Sequence, residues 1–346
     1  MQNILQRIAS VGAVLLLVPG AASAGTIIGA GSTFVQPIVA KWAEDYARTH
    51  KDTVQYQGVG SGAGIAAIEA GTVDFGATDK PLDAKELEKF GLVQFPIVVG
   101  AVVPVFNLPG IPEGKLRFSG QLLADIFLGK VTRWDAPEIK ALNSRIDLPS
   151  RPITIVHRSD GSGTTYNWTD FLAKSSKEWQ SRIGVGLTVA WPAGLAGKGN
   201  AGVAENVQRT PGAIGYVEAA YARRNKLNFG QVENSYRLAM SPTAEALEAA
   251  AATVDWKRHE HFSALMTNAG GPGAYPVAAT TFILMPKAPK DRARSQAALA
   301  FFRWALEEGE KQATDLNFVP LPQNLIALIE AYWARQGLPG TLTAGR

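Results

Sequence analysis

The chain has 346 residues, 46% of them hydrophobic and 18% charged, with a formal net charge of +4 and no cysteine. That is enough for two packed domains, and too apolar for global disorder. Missing cysteines exclude disulfides, thiolate metal sites, a cysteine nucleophile and a lipidated cysteine anchor. The basic residues are scattered rather than clustered, which argues against a nucleic-acid partner.

In chain order, residues 1–24 read as a cleavable secretory signal. Arg7 is their one charge, Val11 to Val18 is a short apolar run, and Ala22-Ser23-Ala24 has the small-x-small form of a cleavage site. No later run is long and apolar enough to span a bilayer. The mature protein is therefore expected free in a periplasm-like compartment, without lipid anchor or membrane insertion.

After Gly29-Ala30-Gly31-Ser32-Thr33-Phe34 comes a helix whose Val35, Ile38, Val39, Trp42 and Tyr46 form one apolar face. Pro37 sits near its first turn, where a missing N–H does least harm. A strand at Thr53 to Gln57, the glycine turn Gly58 to Gly64 and a short helix carrying Ile65 and Ile68 follow. Thr72 to Asp79 reads as a strand ending in a carboxylate. Residues 93–106 read as a buried strand running into a connection, and Ser119 as the cap of a helix through Leu122, Leu123, Ile126 and Phe127. A late strand at Thr280 to Met285 precedes a helix with Phe301, Phe302 and Trp304 and a last helix around residues 323–335. Alternating strands and helices of this kind make an α/β protein.

The most informative segment is Arg158-Ser159-Asp160-Gly161-Ser162-Gly163-Thr164. It follows the β-branched run Pro152 to Val156 and precedes a helix, so unpaired N–H groups gather at one point. With the positive end of the helix dipole they suit an anion. Arg158 adds a fork of donors, and Asp160 is close enough to orient it. Gly29 to Phe34 and Gly58 to Gly64 repeat the same glycine-and-hydroxyl logic. Each alone reads more often as a capped helix behind a tight turn.

The motifs of other chemistries fail. Pro192 and Gly199 break a phosphate loop around Gly197-Lys198, and Phe34 stands where a dinucleotide fingerprint needs its third glycine. Two residues to either side of Ser162 stand Asp160 and Thr164, where a hydrolase elbow needs glycines. His259 and His261, two apart, would point to different faces of a helix and take a solvated surface. Asn167-Trp168-Thr169 matches a glycosylation acceptor by chance. Neither a metal nor an organic cofactor is called for.

Taken in order, these segments resemble the periplasmic phosphate-binding protein family of bacterial phosphate-specific ABC transporters. The resemblance spans essentially all of the mature chain. It is carried by Gly29 to Phe34, Tyr56 to Ser61, Val73 to Asp79 and Asp160 to Thr164, then Trp191-Pro192 with Gly197 to Asn200, and Gln208-Arg209 with Pro211 to Glu218. It implies a two-domain periplasmic-binding-protein fold, hinged by two crossover strands. Residues 25–106 with 280–346 would form a discontinuous domain I, and residues 107–279 domain II. It implies phosphate contacts from Thr33, Phe34, Ser61 and Asp79 on one side and Arg158, Ser162, Gly163 and Thr164 on the other, with Asp160 behind Arg158.

The residue chemistry fits those roles. The hydroxyls of Thr33, Ser61, Ser162 and Thr164 can donate, as can the N–H groups of Phe34 and Gly163. An ionised Asp79 only accepts, so it suits hydrogen phosphate and not sulfate, which has no proton at neutral pH. Family members often have alanine at Ser32 and serine at Gly62 and Thr165, departures that remove no ligand. The Gly194–Asn200 and Gln208–Glu218 motifs match the family but are assigned to turns and packing.

The resemblance therefore implies a monomeric, non-enzymatic receptor that closes over inorganic phosphate and delivers it to inner-membrane ABC permease subunits. Receptors for sulfate or arsenate remain alternatives, arsenate keeping the proton that Asp79 reads. A secreted phosphoester hydrolase is a third, lacking only the nucleophile–base pair or metal cluster it would require.

Overall fold

The computed structural model describes residues 25–341. The signal assigned to residues 1–24 lies outside them. Among the described residues no helix is long and apolar enough to cross a membrane.

One twisted sheet organises the chain. Its first part joins β1 (Thr26–Gly31), β2 (Thr53–Gly58) and β3 (Phe75–Thr78), with β1 parallel to both others. Helices α1 (Gln36–Thr49) and α2 (Ser61–Glu69) are the crossovers between these parallel strands. The stripe read from sequence is the buried face of α1: Ile38, Val39, Trp42 and Tyr46 are all covered, and Trp42 donates its indole N–H to Gly309 O at 2.9 Å. Helix α1 starts later than the Ser32-Thr33 pair suggests, with Val35 at the cap and no side chain capping it.

After α3 (Ala84–Phe90), strand β4 runs for 15 residues, Leu92–Phe106, every one buried. Its run of β-branched and aromatic residues suits a strand covered on both faces. Up to Ala101 it pairs with a late antiparallel strand, Ala278–Pro286, which also pairs with β3. Register slips between Thr281 and Phe282, opposite Val98 and Pro96. A proline has no N–H for the ladder, so a bulge is where a central strand tolerates one.

From Val102 onward the same strand belongs to a second part of the sheet. There it pairs antiparallel with Ala213–Glu218 and, near its end, with Asn228–Phe229. The strands of this stretch of chain are β5 (Arg117–Phe118), β6 (Thr154–Arg158), β7 (Leu195–Gly197), β8 (Ala213–Glu218), β9 (Asn228–Phe229), β10 (Gln231–Glu233) and β11 (Ala239–Met240). The late strand Ala278–Pro286 is then β12. β6 is parallel to β7 and to β8, and β5, β10 and β11 form a small separate sheet.

The helices of this part are α4 (Gly120–Phe127), α5 (Pro137–Leu142), α6 (Gly163–Ser175), α7 (Lys177–Arg182), α8 (Gly199–Arg209), α9 (Ala219–Arg224) and α10 (Ala244–Ala251). Ser119 caps α4 by accepting from Leu122 N, as its sequence position suggests. Helices α11 (Arg292–Glu307), α12 (Glu310–Asp315) and α13 (Gln323–Arg335) return to the first part, where Phe302 meets Phe75 and Phe95 edge-on.

One expectation needs correction. His259, exposed as expected, lies between two short 3-10 turns rather than on a helix, and His261 sits in the second of them with φ of 52°. His261 is half-buried, and its Nδ1 lies 2.6 Å from the Tyr332 hydroxyl, so it packs instead of facing solvent.

Candidate ligand-binding site

Parallel strands release their chains at the same edge, and ligands of such sheets gather there. In the first part of the sheet this edge carries Ser32 to Phe34 after β1 and Asp79 after β3, with Ser61 opening α2. In the second part it carries Arg158 at the end of β6, then Ser162 to Thr164 where α6 begins. The two edges face each other and are in contact. Gly62 N donates to Gly161 O at 2.9 Å, and the Asn167 amide donates to Asp79 O at 2.8 Å.

All eight residues expected to touch a ligand are buried, with Thr33, at 6%, among the most accessible. Asn167, the chance glycosylation match, is likewise buried. Gly163 is one of the tight points of contact: a Cβ there would lie 2.5 Å from Ser61 Oγ and 2.6 Å from Asp79 Cβ.

Charge is concentrated in two groups. Arg158 grips Asp160 as a fork, Nε to Oδ1 at 2.8 Å and Nη2 to Oδ2 at 2.5 Å. Its remaining Nη1 reaches Thr164 Oγ1 at 3.2 Å. Burial pushes the Asp160 carboxyl up, but the hydrogen bonds and charge of Arg158 outweigh it and hold Asp160 below its usual value. Arg158 is thus held at a fixed angle, with its Nη1 turned toward Thr164 in the site.

Asp79 accepts from Thr281 Oγ1 at Oδ1 (2.6 Å) and from Ser32 Oγ at Oδ2 (2.7 Å), and its own N–H donates to Ser61 Oγ at 3.2 Å. Burial raises its pKa to about 6, with the two hydroxyls and Arg158 pulling the other way. Ser32 Oγ also accepts from Phe34 N at 3.0 Å. Ser162 caps α6 by accepting from Thr165 N, also at 3.0 Å.

Several members of this cluster are not assigned to the site by the sequence. Thr281 lies on β12, 202 residues from Asp79, and nothing in its local pattern marks it. Asn200, in a motif read as packing, is fully buried beside Thr33 and Thr164. Glu218, at the end of β8, is fully buried too. Its Oε2 caps α9 at Ala220 N and Tyr221 N, while Oε1 has no hydrogen-bond partner among the described residues.

Burial pushes Glu218 up to about 8. Between about 4.5 and 8 the folded chain therefore holds a proton that the unfolded chain has released, and stability falls as pH rises through that window. The melting temperature of the ligand-free protein is expected to fall from pH 5 to pH 8, and Glu218→Gln to flatten the part above pH 6. Melting curves across that range check it; a wild-type curve flat from pH 6 to 8 contradicts it.

Residues 18–308 match the family model of the PBP superfamily domain. Over 310 residues the chain is 51% identical to the phosphate-binding protein PstS of Xylella fastidiosa, across 90% of this chain and 85% of that one. It is 46% identical to PstS of Pasteurella multocida over 90% of both.

The chain belongs to the PstS family.

Solved structures agree at the level of fold. A high-affinity periplasmic phosphate-binding protein with bound phosphate superposes with a TM-score of 0.71 at 22% identity, over 91% of this chain and 96% of that one. A phosphate ABC transporter substrate-binding protein from Clostridium perfringens gives 0.64 at 18% identity, over 86% and 100%. The α/β architecture is thus the two-domain periplasmic-binding-protein fold of these neighbours.

Proposed function

We propose that this protein binds one inorganic phosphate between its two domains in the periplasm and hands it to an ABC permease for import. The observation that carries the reading is the buried facing of Asp79, an acceptor, and Arg158, a cation, among hydroxyl and N–H donors. Such a set complements a tetrahedral dianion that still carries a proton. Membership of a family whose relatives are named phosphate-binding proteins supports the same ligand.

In this reading Thr33, Phe34, Ser61 and Asp79 bind from domain I, residues 25–106 with 280–346. Arg158, Ser162, Gly163 and Thr164 bind from domain II, residues 107–279, and Asp160 orients Arg158. The crossovers are β4, which changes partners at Ala101 and Val102, and the start of β12. Ligand contacts divided between two domains favour the closed form only when the ligand is present, which is what couples capture to closure. The permease then reads the closed form; a monomer suffices. No residue here takes a nucleophile's role, and the relatives' names describe binding rather than turnover.

Two experiments test this. Saturable one-to-one quenching of tryptophan fluorescence by phosphate, and rescue of phosphate uptake in a bacterium deleted for its own binding protein, are the expected results. Failure of both contradicts the reading. Gly163→Ala offers a sharper probe of closure, because its methyl group would strike Ser61 and Asp79 only when the domains meet. Overpacking of this kind costs about 2 kcal/mol, so phosphate affinity is expected to drop roughly thirtyfold while the ligand-free melting temperature stays put. Unchanged affinity in calorimetric titration contradicts the close approach at Gly163.

A further inference from the structure

Asn200 has no place in the ligand set above, yet it is fully buried at its centre. We propose that Asn200 is a positioning residue that turns the hydroxyl protons of Thr33 and Thr164 toward the bound oxyanion. The proposal rests on the phosphate reading and deepens it.

The orientation of the Asn200 amide is fixed from behind. Its Oδ1 accepts from Glu218 N at 3.0 Å, so a flipped amide would set N–H against N–H. The amide nitrogen must then face Thr33 Oγ1 at 2.9 Å and Thr164 Oγ1 at 3.4 Å. The backbone N–H of Asn200 also donates to Thr33 Oγ1, at 3.2 Å.

A hydroxyl oxygen has two acceptor positions and one proton. On Thr33 both acceptor positions are taken by Asn200, so the proton has to point away from it. On Thr164 they are taken by Arg158 Nη1 and Asn200, with the same consequence. Two hydroxyls free to rotate thereby become two donors of set direction, as an anion requires.

The motif around Asn200 serves that aim. Gly199 has φ of 66°, a left-handed conformation that glycine adopts without strain, and its N–H is held by Asp160 Oδ1 at 2.9 Å. The same Asp160 that sets Arg158 thus also sets the start of α8. Because Thr33 lies across from α8 on the other part of the sheet, Asn200 can order it only when the two parts meet.

The test is a double-mutant cycle read by calorimetric titration with inorganic phosphate, using wild type, Asn200→Ala, Thr33→Val and the double variant. Each single change is expected to weaken binding about tenfold. In the Thr33→Val background, Asn200→Ala should cost clearly less, because the hydroxyl it orders is gone. Asn200→Asp keeps the acceptor for Glu218 N and loses the side-chain donors. It is expected to bind at least as weakly as Asn200→Ala, and it serves as the reading should the alanine variant misfold.

Additive losses in the cycle, or wild-type affinity in Asn200→Asp, overturn the proposal while leaving phosphate as the ligand. A wild-type protein that binds no phosphate overturns the ligand assignment, and this proposal with it.

Discussion

Asp79→Asn is expected to abolish the rejection of sulfate. In the wild type the buried carboxylate can only accept, so a ligand without a proton leaves it facing another oxygen. A dry site built on such a bond separates the two ligands by roughly 10⁴–10⁵-fold. Asparagine can donate through its amide instead, and the Thr281 and Ser32 hydroxyls that now donate to Asp79 can rotate to suit it. The variant should therefore bind sulfate and phosphate within about tenfold of each other. Protonation should do the same to the wild type, so discrimination is expected above the pKa of about 6 and to weaken below it. Competition of sulfate against phosphate at pH 5 and pH 8 reads both effects; a variant that still refuses sulfate contradicts them.

Arg158→Met is expected to cost most of the phosphate affinity, roughly 10²–10³-fold. Arg158 is nearly sealed from solvent, and removing one partner of a buried pair costs about 3–5 kcal/mol because the other charge is left alone. Here the residual carboxylate of Asp160 would also repel the incoming anion. The double change Arg158→Met with Asp160→Asn should consequently recover part of the loss, and Arg158→Lys should fall between, keeping the charge but not the fork. Equilibrium dialysis of the four proteins with phosphate decides it. A double variant weaker than Arg158→Met would show that Asp160 helps binding by itself.

Much of this molecule is legible along the chain because its signals are local. The stripe from Val35 to Tyr46 became the buried face of α1, the apolar run at residues 93–106 became β4, and Ser162 became the cap of α6. The glycine-and-hydroxyl turns lie at strand ends, which parallel topology brings to one edge.

What stayed hidden was made by distance. Thr281 meets Asp79 only because β12 returns antiparallel beside β3, and no local pattern in a buried strand reveals which threonine lies opposite a carboxylate. Asn200 was visible as a motif, but its reach to Thr33 depends on the two sheet parts facing each other. The pair His259 and His261 misled for the opposite reason: spacing was read on a helix that the chain does not form there.

The most direct measurement is calorimetric titration of residues 25–346, stripped of ligand by unfolding and refolding, with phosphate and then sulfate at neutral pH. Tight one-to-one binding of phosphate with no heat from sulfate is the expected result. Sulfate bound as tightly as phosphate would contradict the role given to Asp79, and binding of neither would contradict the buried cluster's assignment as a phosphate site.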